Sequence, residues 1–158
     1  MVLDYLRPEH GCTVDELIEE AVIMNGYTKD GWAHDALVNL FHNHGVHAYR
    51  EEFRSMHLDT VTKRMRPSAY EPQLVRNGIS KIANVLHKGK PVIVSMGPGF
   101  RTPTSSHLVV LTGFAEDDTG LEGFYYNDPD SRTGLQKSIF VDLATFRQYW
   151  RKRAIFAV

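Results

Sequence analysis

With 158 residues and 42% hydrophobic content, the chain can bury one core of ordinary size and is too short for two, so a single domain over 1–158 is expected. Eighteen Lys and Arg against nineteen Asp and Glu leave a formal charge of −1, which excludes a global field for nucleic acid or an anionic membrane and favours a peptide or small-molecule partner. There is no run of about 18 apolar residues and no leader pattern, so a cytoplasmic location is expected, and a lone cysteine, Cys12, excludes an internal disulfide and any thiolate-cluster metal site.

In chain order, Met1 to Leu6 is apolar and has no capping residue before it, so the first helix is expected to be truncated at its amino end. "TVDELIEEAVIMNG" predicts a second helix in which Thr13 caps and Glu16 reaches back, with Gly26 as its stop. "WAHDALVNLFHNHG" puts Trp32, Ala36, Leu37, Leu40 and Phe41 on one stripe of a third helix that ends at Gly45. "VHAYREEF" predicts a strand, and Met56 to Tyr70 an irregular surface loop. "EPQLVRNGISKIANVLHKG" predicts a helix in spite of its internal Gly78.

From Pro91 the periodicity changes to strands, "PVIVSM", "HLVVLTGF", "GFYYND" and "SIFV", followed by a short helix "LATFRQYW" capped by Asp142 and a last strand "AIFAV". Helices come first and strands after, without the alternation that a parallel doubly wound sheet requires. The pattern predicts an α+β fold with helices packed on an antiparallel sheet.

Two residues in the strand-rich half carry chemistry. If "HLVVLTGF" and "GFYYND" form a hairpin that reverses between Asp117 and Asp118, residue 109 pairs with 126, 111 with 124, and 107 with 128. His107 and Asp128 then meet on one face, where a carboxylate can fix the imidazole tautomer and stabilise its cation. A one-residue slip would bring Asn127 opposite His107 instead. The plainer alternative is a strand-end histidine beside an Asp–Pro turn.

Taken together and in order, "MVLDYL", "TVDELI", "GWAHDALVNLF", "GKPVIVSM", "SHLVVLTGF", "YYNDPDSRTG" and "FRQYW" resemble the bacteriocin-processing, double-glycine type of cysteine peptidase, over nearly the whole chain. The resemblance implies a papain-like cysteine peptidase fold, cleavage of peptide or amide bonds, His107 as base and Asp128 as its orienter. It also implies a cysteine nucleophile and an oxyanion-hole glutamine at positions ahead of Met1. The chain as it stands is therefore expected to be inactive, and the alternative reading is a non-catalytic peptide-binding module on the same fold. Cys12, just before a helix start, is a further candidate nucleophile.

No cofactor or metal is expected. His42, His44 and His47 lack a completing ligand, and histidines in a last helical turn complement the helix dipole. His34 and Asp35 are expected on the solvent face of their helix. "MGPGF" lacks the Lys and Ser/Thr of a phosphate loop, and the cations of "WRKRAIF" fit a solvated helix end. The loop Gly97 to Ser106 leads into His107, so Phe100 and Arg101, with Asn127, are the candidate substrate contacts.

Overall fold

The computed structural model describes residues 1–28, 31–97, 106–129 and 136–158. The chain divides into two compact units, one of Met1–Arg50 with Ile155–Val158 and one of Glu51–Ala154. Among the described residues no helix is long and apolar enough to cross a membrane.

The first unit is mainly helical: α1 (Val2–Leu6), a 3-10 turn at Pro8–His10, α2 (Val14–Ile23), a two-residue ribbon of β1 (Tyr27–Thr28) and β2 (Gly31–Trp32), and α3 (His34–Asn43). The capping box at α2 forms as expected. Thr13 N–H donates to Glu16 Oε2 at 2.7 Å, and Glu16 N–H donates to Thr13 Oγ1 at 3.3 Å. Gly26 does more than stop α2: a Cβ there would lie 2.0 Å from the Cβ of Ala36, so the glycine permits close approach of α3. Ala36, Leu40 and Phe41 are the buried stripe of α3, while Trp32 is half-buried against Tyr27 with ring centroids 5.1 Å apart. His34 is half-buried rather than on the solvent face. Asp35 is exposed and pairs with Arg50.

The second unit holds the hairpin of β4 (Met56–Leu58) and β5 (Met65–Pro67), the long helix α4 (Glu71–His87), strands β6 (Val92–Met96), β7 (His107–Asp117), β8 (Gly120–Asp128) and β9 (Gln136–Asp142), and helix α5 (Leu143–Tyr149). Strand β3 (Ala48–Glu52) enters this unit at Glu51, and β10 (Trp150–Ala157) leaves it after Ala154. The sheet order is β10-β6-β7-β8-β9, with β6 to β9 antiparallel to one another.

Two expectations are corrected here. Residues 56–70 are not irregular: Asp59 accepts the N–H groups of Val61 and Thr62, which closes a turn and lets β4 pair with β5. The cations of "WRKR" lie on strand β10, not on a helix end; Lys152 Nζ is 2.7 Å from Glu71 and Arg153 Nε is 3.1 Å from Glu52.

The core follows from alternation. All five residues of β6 are buried, and Val109, Leu111 and Phe124 are fully so. Across the sheet, Phe124, Phe146 and Trp150 form a chain of rings with centroids 4.7 and 5.3 Å apart, and Phe53 adds a fourth at 5.5 Å from Trp150. Such pairs contribute about 0.5–1.5 kcal/mol each beyond the area they bury. α5 is held at its start by Asp142, whose Oδ1 accepts the Thr145 N–H at 2.9 Å.

Candidate active site

The ladder between β6 and β7 sets Val92 against Leu111, Val94 against Val109, and Met96 against His107, and β8 adds Tyr126 against Leu111. Opposed residues share a face, so these side chains form one apolar sheet face on which His107 is the polar end. Asp128, two residues beyond Tyr126, falls on the same face.

His107 Nε2 and Asp128 Oδ1 are 2.6 Å apart. The expected register did not bring them together. Asp117 Oδ1 accepts the N–H groups of Thr119 and Gly120, and Gly120 takes φ +124°, which moves the reversal one residue later and pairs Asp117 with Gly120. The pairing becomes Val110 with Asn127 and Leu111 with Tyr126. One more step sets Asp128 across from Val109, so His107 and Asp128 are diagonal neighbours on one face, a separation that long side chains span.

Asp128 is 7% exposed, and burial of a carboxylate at that level requires a partner. The His107 side chain keeps 21% of its surface open. Because an ionised carboxylate only accepts, the proton of this bond sits on Nε2, which leaves the Nδ1 lone pair to receive a proton from elsewhere.

Asn127 is on the other face of β8, opposite Val110, and does not join the pair. Its Oδ1 accepts the Ser138 N–H at 2.8 Å, where β9 bulges and Ser138 takes φ +54°. Phe100 and Arg101 lie outside the described residues. Just after that stretch, Ser106 Oγ is 2.8 Å from the Oγ of fully buried Ser95, which ties the entry of β7 to β6.

Cys12 belongs to a different cluster, in the first unit. Its Sγ lies 3.7 Å from His44 Nδ1, and His44 Nε2 is 2.8 Å from Glu20 Oε2. Sequence reasoning gave His44 only a helix-end role, and separations of 32 and 24 residues carry no periodic signal that would have joined the three. His42 Nε2 donates to the Ala48 carbonyl at 2.7 Å, and its ring stacks on that of His47. Among the described residues no three His, Cys, Asp or Glu side chains are arranged to hold a metal ion.

Comparison with solved structures finds the same architecture in peptidase domains. A double glycine motif protease from an AMS/PCAT transporter, solved in complex with the leader peptide, is similar over 99% of this chain and 77% of its own, with 17% identity and a TM-score of 0.58. The peptidase domain of Streptococcus ComA, a bi-functional ABC transporter involved in a quorum sensing pathway, is similar over 100% of this chain and 88% of its own, with 15% identity and a TM-score of 0.60. The fold is that of the papain-like C39 peptidase domains. A comparison with curated proteins finds no match. The model of the Peptidase_C39 like family matches residues 1–156, and the chain belongs to that family.

Proposed function

We propose that this chain is the peptide-handling scaffold of a C39-type thiol peptidase, with His107 as the base and Asp128 as the group that orients it. The observation that carries this reading is the 2.6 Å contact between His107 Nε2 and buried Asp128 at the end of an apolar sheet face. In that role a thiol presented to Nδ1 gives up its proton, the resulting imidazolium is stabilised by the carboxylate, and the thiolate attacks the scissile carbonyl.

The one cysteine of these 158 residues, Cys12, has His44 and the His10 carbonyl as its acceptors. Accordingly, cleavage is assigned to a nucleophile outside these residues, and the chain by itself binds peptides without cutting them. The leader-peptide complex of the similar double glycine motif protease supports a peptide as ligand, and a double-glycine segment as its recognised feature.

The test is titration of the 158-residue chain with labelled peptides that carry a Gly–Gly pair, beside versions with the pair changed to alanines, with mass spectrometry of the same mixtures. Saturable binding that favours Gly–Gly, with no cleaved product, is expected. A flat response to every peptide would overturn the reading, and cleavage by the chain alone would overturn the assignment of the nucleophile.

A further inference from the structure

The Cys12 cluster lies in the first unit, and its inference does not depend on the proposed function. A carboxylate accepts only, so His44 carries its proton on Nε2, toward Glu20 at 2.8 Å, and presents the Nδ1 lone pair to the thiol of Cys12. Glu20 is itself held: Asn43 Nδ2 donates to its other oxygen at 2.7 Å. That bond, then the one to His44, lowers the Glu20 carboxyl below the usual glutamate range. Cys12 is half-buried, and the side chains of His44 and Glu20 are 16% and 30% exposed, so a small reagent can reach the sulfur.

The backbone around the sulfur narrows the chemistry. The Cys12 N–H donates to His10 Nδ1 at 3.0 Å, and His10 Nε2 is in turn 3.0 Å from Asp4 Oδ1. That N–H is therefore not available to an oxyanion, which removes the donor a thiol hydrolase most directly uses at its nucleophile. Exchange at sulfur needs no such donor.

The charge around the sulfur narrows the reagent. Residues 8–28 contain Glu9, Asp15, Glu16, Glu19 and Glu20, and no Lys or Arg. The nearest cation in sequence, Arg7, is paired with Glu9 and also donates to the Gly45 carbonyl. A negative local field repels anionic reagents and admits cationic ones.

We propose that Cys12, His44 and Glu20 form a thiol–imidazole–carboxylate relay that captures small cationic disulfides as a mixed disulfide on Cys12. The thiol proton passes to His44 Nδ1, Sγ attacks one sulfur of the disulfide, the new S–S bond forms as the old one breaks, and the departing thiolate takes the proton from the imidazolium. One thiol and one disulfide give one mixed disulfide and one thiol. His44 accepts the proton, and Glu20 is a positioning residue that acts through it.

Because Cys12 is the only thiol, the reaction is read cleanly by adduct mass and by thiol release. The chain, His44→Gln and Glu20→Gln are each treated with cystamine and with a dianionic aromatic disulfide, natively and in guanidinium, and every rate is divided by that of free cysteine. Native Cys12 is expected to react with cystamine at least about tenfold faster than the denatured chain. Both variants lose that advantage while their denatured rates stay equal to wild type. Normalised preference for cystamine over the dianion falls toward one as salt rises. Circular dichroism identifies a variant that has merely unfolded, and the other variant then decides. A native rate no higher than the denatured one, variants as fast as wild type, or preference for the dianion would each overturn the proposal.

Discussion

Gly78 sits in the middle of α4, where glycine ordinarily costs helix stability, and replacing it with alanine tests whether packing overrides that cost. A Cβ at 78 would stand 2.5 Å from Phe53 Cγ and 2.7 Å from Trp150 Cη2, roughly 0.9 and 0.7 Å inside the edge of ordinary contact. Neither ring can retreat easily. Phe53 and Trp150 are 4% and 2% exposed, the indole Nε1 donates to the Arg153 carbonyl at 3.0 Å, and Trp150 stacks on Phe146. α4 must therefore move outward, which loosens Ile79, Ile82 and Leu86, its buried face.

Overpacking costs about 1–3 kcal/mol, and with two buried rings struck at once the upper part of that range, about 2–3 kcal/mol, applies; alanine recovers about 1 kcal/mol of helix propensity. The net expectation is a loss of about 1–2 kcal/mol, or a Tm lower by about 2–8 °C for a chain of this size. Thermal and urea unfolding of Gly78→Ala and of Ser80→Ala, an exposed neighbour on the same helix, provide the measurement. Ser80→Ala should hold or raise the Tm. A Gly78→Ala protein that melts at or above wild type would refute the claim that close approach, rather than chance, places glycine there.

Other outcomes follow from the same geometry. Gly123→Ala would set a Cβ 2.2 Å from the Val141 carbonyl oxygen, a backbone atom that cannot turn aside, so β8 and β9 must part there; a loss of about 3 kcal/mol in urea unfolding is expected. Asp128→Ala should remove the preference for the Nε2–H tautomer of His107, read as mixed imidazole nitrogen shifts in NMR spectra, whereas wild type shows the single tautomer. Hydrogen bonds from Thr145 hold the Asp142 carboxyl below the usual aspartate range. Its contribution is thus full above the unfolded-state value of about 3.9 and is lost as pH falls through the lower folded value. The Tm gap between wild type and Asp142→Asn should be constant near neutrality and shrink on the acid side.

Local chemistry made much of the fold legible. Thr13 with Glu16 and Asp142 before "LATF" announced their helix starts because a cap is a contact between near neighbours. The all-apolar β6 and the alternating β7 and β8 announced a buried sheet. What the residues did not disclose were features that depend on partners far along the chain. The hairpin of β4 and β5 has only three residues a side, nearly all exposed, and it forms around the Asp59 carboxylate. Gly78 looked like a flaw in a helix until Phe53 and Trp150, distant in sequence, were in place. His44 looked like a helix-end histidine until Cys12 and Glu20 stood on either side of it.

The pair at 107 and 128 shows which part of a register a sequence specifies. The Asx turn at Asp117 moved the reversal by one residue, so the sum of paired positions near the site rose by two. Two single-residue irregularities, between Leu111 and Gly113 and between Ala115 and Glu116, cancel within the same hairpin. An even offset changes who stands directly opposite whom but leaves every side chain on its face, because the strand period is two. The apolar alternation of Val109, Leu111, Phe124 and Tyr126 penalises any odd offset, which would turn buried residues outward. Hence His107 kept an acid on its own face rather than Asn127, and the contact survived a register error as a diagonal one.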